Sequence, residues 1–321
     1  GTCPAGEYIQ QVNQDGSVVC GGDGTGNPGW NLSGNAGTDP ATDFIGTSDN
    51  QALAFKVNGN RVLRLEPDFT SPNLIGGYSG NVVESGVEGG TIAGGGASTL
   101  ENRVTGDYGT VGGGFENVAS GLNATISGGL SNIASAYGTT VGGGIENTAS
   151  DLQSIVGGGF NNSASGLVST VAGGSVNTAS NIFSSVGGGT GNTASGFGAT
   201  VGGGQDNTAS GDYSFVVGQR AKNSDASHDG VFIFADSLND DFASTGPNQF
   251  LVRANGGVAF GRTPDDYFEI QTPFDDVSGN GAGEQGALRV RLNGATRLRL
   301  LRNGGLGVGS SFETTGVPTN G

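Results

Sequence analysis

Residues 110–214 repeat one 15-residue unit seven times without an insertion or deletion. The first copy reads TVGGGFENVASGLNA and the last reads TVGGGQDNTASGDYS. Each copy has a branched apolar residue at position 2, Gly-Gly at positions 4 and 5, Asn at position 8 and Ala-Ser at positions 10 and 11. In so strict a period, each inward position meets its equivalent in the next copy, because identical units stack on one another. The repeat therefore predicts an all-β fold, a parallel β-roll or β-solenoid with 15-residue coils.

Glycine supports this interpretation. The chain has 66 glycines among 321 residues, about three times the usual share. Glycine does not occur at every third residue and there are only nine prolines, which excludes collagen. Glycine at fixed places in a repeat marks tight corners. Only 34% of the residues are apolar, so each coil has a thin interior, and packing against sister chains is expected to supply stability.

The net charge of −16 argues against nucleic acid or an anionic membrane as a partner, since binding to phosphates depends on clustered Lys and Arg. Lys56 and Lys222 are the only lysines. No run of 18 apolar residues exists, so membrane insertion is not expected. The chain has no methionine and no signal peptide, which predicts a processed piece of a longer product.

The two cysteines, Cys3 and Cys20, bracket two short predicted strands around a turn at residues 13–16. A disulfide that closes this hairpin is the preferred interpretation, and it implies an oxidising compartment. Reduced thiols and disulfides between chains are the alternatives. A metal site is not expected, because two Cys without a His pair cannot complete a tetrahedral shell.

The rest of the chain contains hairpin signals on both sides of the repeats. Asn58-Gly59 and Asn293-Gly294 each lie between alternating apolar residues, and residues 250–262 have a similar turn. Small hairpins need a packing partner, which an oligomer would supply. We predict four segments, namely a Cys-bracketed hairpin and linker, a hairpin collar, the β-roll and C-terminal hairpin modules, at residues 1–29, 30–73, 74–217 and 218–321.

Asparagine at position 8 is the sharpest feature inside the repeats. One interpretation is an internal ladder, in which each amide bonds a corner of the backbone and the Asn above and below. The alternative is an outward row of ligand-binding amides. A ligand site would not need seven identical coils, so the sequence favours a structural ladder formed by Asn117, Asn132, Asn147, Asn162, Asn177, Asn192 and Asn207. Recognition would then depend on the variable positions 6, 7, 13 and 14, as at Phe115 and Leu152, or on the terminal modules.

Catalytic chemistry has little support. His228 is the only histidine, and its neighbours Ser227 and Asp229 cannot converge on it as a triad because adjacent residues point apart. We therefore expect His228 to be a solvated histidine in a turn. A glycosidase needs two carboxylates across a cleft, a geometry that neighbours on loops do not supply. Neighbouring carboxylates of this kind occur at Asp240/Asp241, Asp265/Asp266 and Asp275/Asp276. The sequence therefore predicts no enzyme, no catalytic residue and no cofactor.

Two weaker alternatives concern ligands. The repeats lack the GGxGxDx signature of calcium-loaded β-helices, which leaves acidic loops outside the array for a structural Ca²⁺. Threonine recurs at repeat positions 1 and 9, and regular threonine rows on a flat solenoid can bind ice. Both rows are interrupted, as at Ile155 and Ser163, so the β-propensity of threonine explains them equally well. An arginine cluster could bind an anionic polymer, but we favour ion pairs with acidic residues of neighbouring chains for Arg289, Arg291, Arg297, Arg299 and Arg302.

The TVGGGxxNxASG coils resemble the head repeats of trimeric autotransporter adhesins. This resemblance implies a left-handed parallel β-roll and an intertwined homotrimer. The segments from NLSGNAG to LRLEP, GGYSGN and FASTGPNQFLVRANGG resemble bacterial surface and tail-fibre-like proteins, many of which mature through an endosialidase-type intramolecular chaperone. We expect this chain to depart from the adhesins in lacking their coiled-coil stalk and membrane-anchor barrel. We likewise expect that a chaperone after Gly321 was either removed or never present.

Together these observations predict an extracellular structural and adhesive fibre at a cell or virion surface. Its expected partner is the chain itself, as a homotrimer that could further assemble end to end into a filament, together with a surface receptor or glycan. The alternative function is a phage-type tail fibre or spike that binds, or also cleaves, a surface glycan.

Overall fold

The computed structural model describes residues 2–3, 8–21, 34–256, 288–292, 295–300 and 306–308. Two compact units are distinguished, Gly1–Asn255 and Gly256–Gly321. The described residues form strands and turns and contain no helix, so the prediction of an all-β fold is confirmed.

Most strands of the first unit lie in two sheets. Sheet 1 has fourteen strands and sheet 2 has eleven, and the chain alternates between them. The strands of sheet 1 are Leu53–Val57, Asn60–Glu66, Asn73–Gly76, Thr91–Ile92, Thr110–Val111, Thr125–Ile126, Thr140–Val141, Ile155–Val156, Thr170–Val171, Ser185–Val186, Thr200–Gln205, Phe215–Gln219, Phe232–Ala235 and Phe250–Arg253. The strands of sheet 2 are Val82–Val83, Arg103–Val104, Val118–Ala119, Ile133–Ala134, Thr148–Ala149, Ser163–Ala164, Thr178–Ala179, Thr193–Ala194, Thr208–Ala209, Ala221–Asn223 and Phe242–Ala243.

The register of the parallel strands reproduces the sequence period. Thr125 pairs with Thr110 on one side and with Thr140 on the other, so each residue lies beside its equivalent 15 positions away. Repeat positions 1 and 2 form sheet 1, and positions 9 and 10 form sheet 2. The result is a parallel β-solenoid of about twelve turns with coils of about 15 residues, as the repeat predicted.

The core is a narrow strip between the two sheets. Within the seven repeats, the position 2 residues, such as Val156, and the position 10 residues, such as Ala164, are completely buried. The strand residues just before them, such as Ile155 and Ser163, face outward because side chains alternate across a strand. Position 15 adds a small buried residue, such as Ala199 or Ser154. Each coil therefore contributes one branched side chain and only small residues to the core, and hydrogen bonds along the stack must supply part of its stability.

Two corners connect the sheets, and both contain residues in the left-handed region. At position 5 of the first corner this residue is always glycine, as at Gly174 with φ of +92°. The first corner spans positions 3–8, and its position 7 has positive φ, as at Asn161 with +50°. The second corner spans positions 11–15, and its position 14 has positive φ, as at Asn123 with +58°. Asn and Gly tolerate this conformation, whereas β-branched residues do not. Val176 and Val168 nevertheless occupy such positions, at +57° and +55°.

Replacing Val176 with asparagine is expected to raise the free energy of unfolding by about 1 kcal/mol, because Asn adopts positive φ at lower cost. The midpoint of thermal unfolding at fixed protein concentration measures this change. The control is Ile145→Asn, an equally exposed apolar residue of the first corner without positive φ, where no gain is expected. A gain in both variants would show that removal of a surface apolar group, and not relief of backbone strain, stabilises the chain.

The solenoid extends further along the chain than residues 74–217. Phe232–Ala235 and Phe250–Arg253 continue sheet 1 in parallel, within the segment for which hairpin modules were predicted. The period is lost there because the connections between the sheets are longer and differ in length. Leu53–Val57 and Asn60–Glu66 form an antiparallel pair at the other end of sheet 1.

Arg253 holds the last long connection in place. Its Nε lies 2.8 Å from Asp236 Oδ1, its Nη2 donates to the carbonyl of Leu238, and its guanidinium lies 5.3 Å from the centre of the Phe242 ring. Burial favours a higher pKa for Asp236, but hydrogen bonds from the backbone of Asn255 and Leu238 and from Arg253 outweigh it, and the pKa is lowered. These contacts fix the final turn although it has no repeat sequence.

Two small elements complete the described structure. Tyr8–Val12 pairs antiparallel with Val18–Gly21, and a disulfide joins Cys3 to Cys20. In the second unit, the strands Leu288–Leu292, Ala295–Leu300 and Leu306–Val308 form a three-stranded antiparallel sheet. The predicted turn at Asn293-Gly294 and the second half of residues 250–262 lie outside the described residues.

Candidate functional site

The asparagines of position 8 form a continuous hydrogen-bonded column inside the first corner. In each step, the backbone N–H of one Asn donates to Oδ1 of the Asn one coil earlier, as from Asn162 to Asn147 at 3.0 Å. The side-chain Nδ2 of Asn162 donates to the same oxygen at 3.1 Å and to the carbonyls of Gly158 and Gly174 at 2.9 Å. The column begins before the exact repeats, at Asn81 and Asn102.

This geometry leaves the column no capacity for an external ligand. The seven position 8 asparagines within the repeats are at most 1% exposed. Each amide is occupied by its neighbours in the stack and by corner carbonyls. A buried amide with all its partners supplied stabilises the fold and has no donor or acceptor to offer. The candidate functional surfaces are therefore the outward positions of the corners.

The first corner presents a short apolar column at position 6, which we call the first-corner column. It consists of Phe115, Leu130, Ile145 and Phe160, and isolated parallel bridges connect each to the next. Beyond Phe160 the equivalent residues are polar, at Ser175, Thr190 and Gln205. Glu116 and Glu146 flank the column at position 7.

The second corner presents a longer apolar line at positions 13 and 14, which we call the second-corner ridge. Phe183, Phe197 and Tyr213 make edge-to-face ring contacts within it, with centroids 5.7 and 5.4 Å apart. Aromatic pairs in this arrangement are stabilising beyond the area that they bury. The ridge consists of Tyr108, Leu122, Tyr137, Leu152, Leu167, Val168, Ile182, Phe183, Phe197 and Tyr213.

Three phenylalanines are stacked on the outer face of sheet 1 at the end of the described solenoid. The rings of Phe215 and Phe232 are 5.4 Å apart, and those of Phe232 and Phe250 are 4.8 Å apart, with nearly parallel planes. Phe250 is 71% exposed. The sequence analysis did not single out this stack, because the equivalent position in the exact repeats is mostly Thr.

The structure brings His228 to Ser244 and Asp225, and not to its sequence neighbours. Its Nδ1 lies 2.9 Å from Ser244 Oγ, and its Nε2 lies 3.6 Å from Asp225 Oδ2. The Ser244 hydroxyl donates to Asn223, and the backbone N–H groups of Ser244 and Thr245 already have acceptors. These contacts link the connection after Asn223 to the strand Phe242–Ala243 and its following turn, in the last turns of the described solenoid. The side chain of His228 is 16% exposed, in contrast to the solvated turn histidine expected from its sequence context.

The charged residues that the structure describes form ion pairs and separate groups. Asp241 forms an ion pair with Arg220 at 2.9 Å. Within the described residues, no group of three or more His, Cys, Asp and Glu side chains could hold a metal ion. The pairs Asp265/Asp266 and Asp275/Asp276 lie outside that part of the chain. A cleft of about 390 Å³ near the start of the solenoid is lined by residues that include Glu66, Asp68 and Glu84.

Four arginines of the predicted cluster lie on the strands of the second unit. Arg289 is directly opposite Arg299 in the antiparallel register, and Arg291 is opposite Thr296. Arg297 lies on the second of these strands. Arg302 lies outside the described residues.

These features define the class of the protein as an all-β parallel β-solenoid with repeated coils. No protein-family model matches the chain, and no curated protein sequence matches it. In the part of the chain that the structure describes, no helix is long and apolar enough to cross a membrane.

Proposed function

We propose that this chain is an extracellular structural and adhesive fibre protein, and that three copies form a β-solenoid rod that mediates attachment to a surface. The observation that carries this proposal is that conserved and variable positions of the repeat have different structural roles. The residues common to all seven coils form the core, the Asn column and the tight corners, whereas the outward positions vary. A chain whose repeats provide length and regularity is suited to span distance.

The homotrimer is supported by the thin interior of each coil. One branched side chain and only small residues per coil bury little apolar area, while large apolar residues at both corners remain about 40–70% exposed. An extended apolar surface of this kind marks an interaction site. Packing of several chains against one another would bury these residues and compensate for the thin core.

Sedimentation equilibrium of the full chain tests the assembly. We expect a species of about 95 kDa, three times the 31.7 kDa of one chain, that does not dissociate on dilution to micromolar concentration. Negative-stain images should then show narrow rods, either isolated or joined end to end as filaments. A stable monomer at all concentrations would overturn the proposal.

The second candidate function is a tail fibre or spike that binds a surface glycan, and the Phe215, Phe232 and Phe250 stack favours it. Exposed aromatic rings at one end of a rod offer apolar faces to sugar rings. A glycan array with wild type and Phe250→Ser tests this function. Retained glycan binding by the variant would exclude the stack as the site, and release of sugar products would show that the protein is an enzyme.

A further inference from the structure

We infer that the second-corner ridge is the surface through which copies of this chain pack side by side. The inference rests on the proposed homotrimer and deepens it, because it assigns the contact to one corner of the solenoid. The first-corner column and the outer faces of the sheets are then left free for other contacts.

The ridge is apolar over its whole length. Every coil from the one that contains Leu122 to the one that contains Tyr213 contributes at least one large apolar side chain at positions 13 and 14. Phe183 is 53% exposed and Tyr213 is 69% exposed in the single chain. The first-corner column, in contrast, becomes polar after Phe160.

Backbone strain in the ridge points to an external role for its side chains. Position 14 has positive φ, a conformation that suits Gly or Asn, and Gly138 and Gly198 occupy it in two coils. Val168, Phe183 and Tyr213 occupy the same position at +55°, +57° and +55°. Val168 costs conformational energy and gains little within its own chain, because its side chain is exposed. The rings of Phe183 and Tyr213 contact Phe197, but both side chains remain more than half exposed. Contact with a second molecule would compensate for the conformational cost of these three residues.

The spacing of the ridge identifies its partner. Its side chains recur once per coil, so they are about 4.8 Å apart along the stack. Over seven coils, only a surface with the same axial repeat can match every one of them, and another copy of this solenoid has that repeat. The ten ridge residues, each leaving up to about 100 Å² exposed, offer on the order of 800 Å² per copy, the usual size of a stable interface.

The direction of packing follows from the symmetry of the assembly. Chains related by a three-fold axis along the rod run parallel, and equivalent coils then lie at the same height. Tyr137 of one copy would therefore lie near Tyr137 of the next. An antiparallel pair would instead bring the second coil of one chain beside the sixth coil of the other.

The first test compares Leu152→Glu with Ile145→Glu in the full chain. The two residues lie in the same coil and are both 42% exposed, but Leu152 is in the ridge and Ile145 is in the first-corner column. We expect Leu152→Glu to weaken association at least 100-fold by sedimentation equilibrium, because a carboxylate from each copy enters an apolar interface. Ile145→Glu should assemble like wild type.

A second test remains valid if assembly and folding are coupled and Leu152→Glu fails to fold. Tyr137→Cys and Ile145→Cys, each in the otherwise unchanged chain, are oxidised and examined on non-reducing gels. Covalent dimers from Tyr137→Cys alone support the ridge and the parallel direction. Dimers from Ile145→Cys alone, or an assembled Leu152→Glu variant with unchanged affinity, would overturn the inference and leave the homotrimer standing. A monomeric wild type would instead overturn the proposed homotrimer.

Discussion

Replacing Gly174 with alanine is expected to destabilise the solenoid by about 3–5 kcal/mol, because two costs coincide at this corner. Its φ of +92° is unfavourable for a residue with a side chain. A Cβ at this position would also lie 2.7 Å from Asn177 Nδ2 and 2.8 Å from the backbone nitrogen of Gly189, and closer still to the Gly189 carbonyl oxygen. Asn177 belongs to the same coil and Gly189 to the next one, so the substitution disturbs the Asn column and forces adjacent coils apart.

The adjacent Gly173 supplies a matched control. Its φ is not in the positive range, and the nearest atom to an added Cβ is the Gly158 carbonyl oxygen at 3.8 Å. Gly173→Ala should leave stability unchanged or raise it by up to about 1 kcal/mol, because alanine restricts the unfolded chain. Thermal unfolding of the two variants at equal concentration measures the difference. Equal effects in both would contradict the proposed role of the corner.

Replacing Asn162 with alanine is expected to cost about 2–4 kcal/mol. The variant removes the acceptor for the buried backbone N–H of Asn177 and three hydrogen bonds donated by the Asn162 amide. Asn162 is only 1% exposed, so water has little access to replace these hydrogen-bond partners. The midpoint of chemical denaturation measures the loss, with the transition followed by circular dichroism.

The neighbouring Asn161 is the control for this substitution. It is exposed and its φ is +50°, so Asn161→Gly keeps the backbone conformation and removes an amide that is not part of the column. Its effect should stay within about 0.5 kcal/mol. If Asn162→Ala is as mild as Asn161→Gly, the column does not contribute to stability as we describe.

The solenoid could be predicted from the sequence because its determinants are local and repeated. Val156 and its equivalents lie 15 residues apart, and this spacing alone specifies which residues become neighbours. Glycine at positions 4 and 5 marks the corners for the same reason. The predicted β-roll ended at residue 217, close to the end of the sequence period. In the structure, parallel strand pairing in sheet 1 continues to Arg253. The contacts that define those last turns, such as Arg253 with Asp236, join loops of unequal length that follow no period.

The candidate surfaces were only partly accessible to sequence reasoning. The variable positions 6, 7, 13 and 14 were expected to face outward, and Phe115 and Leu152 are exposed. The sequence did not reveal that position 14 has positive φ in every coil. It therefore did not indicate that Val168 at that position has an unfavourable backbone conformation. Nor did it place His228 beside Ser244, which is 16 residues away.

The coil length, the direction of strand pairing and the inward positions follow from the amino-acid sequence, because a strict repeat brings each residue beside its own copy. The three-dimensional structure was needed to show which outward residues align as continuous columns, which of them are strained and how far the stack extends. Those properties depend on backbone conformation at the corners and on contacts between connections of different length, and neither is periodic in the sequence.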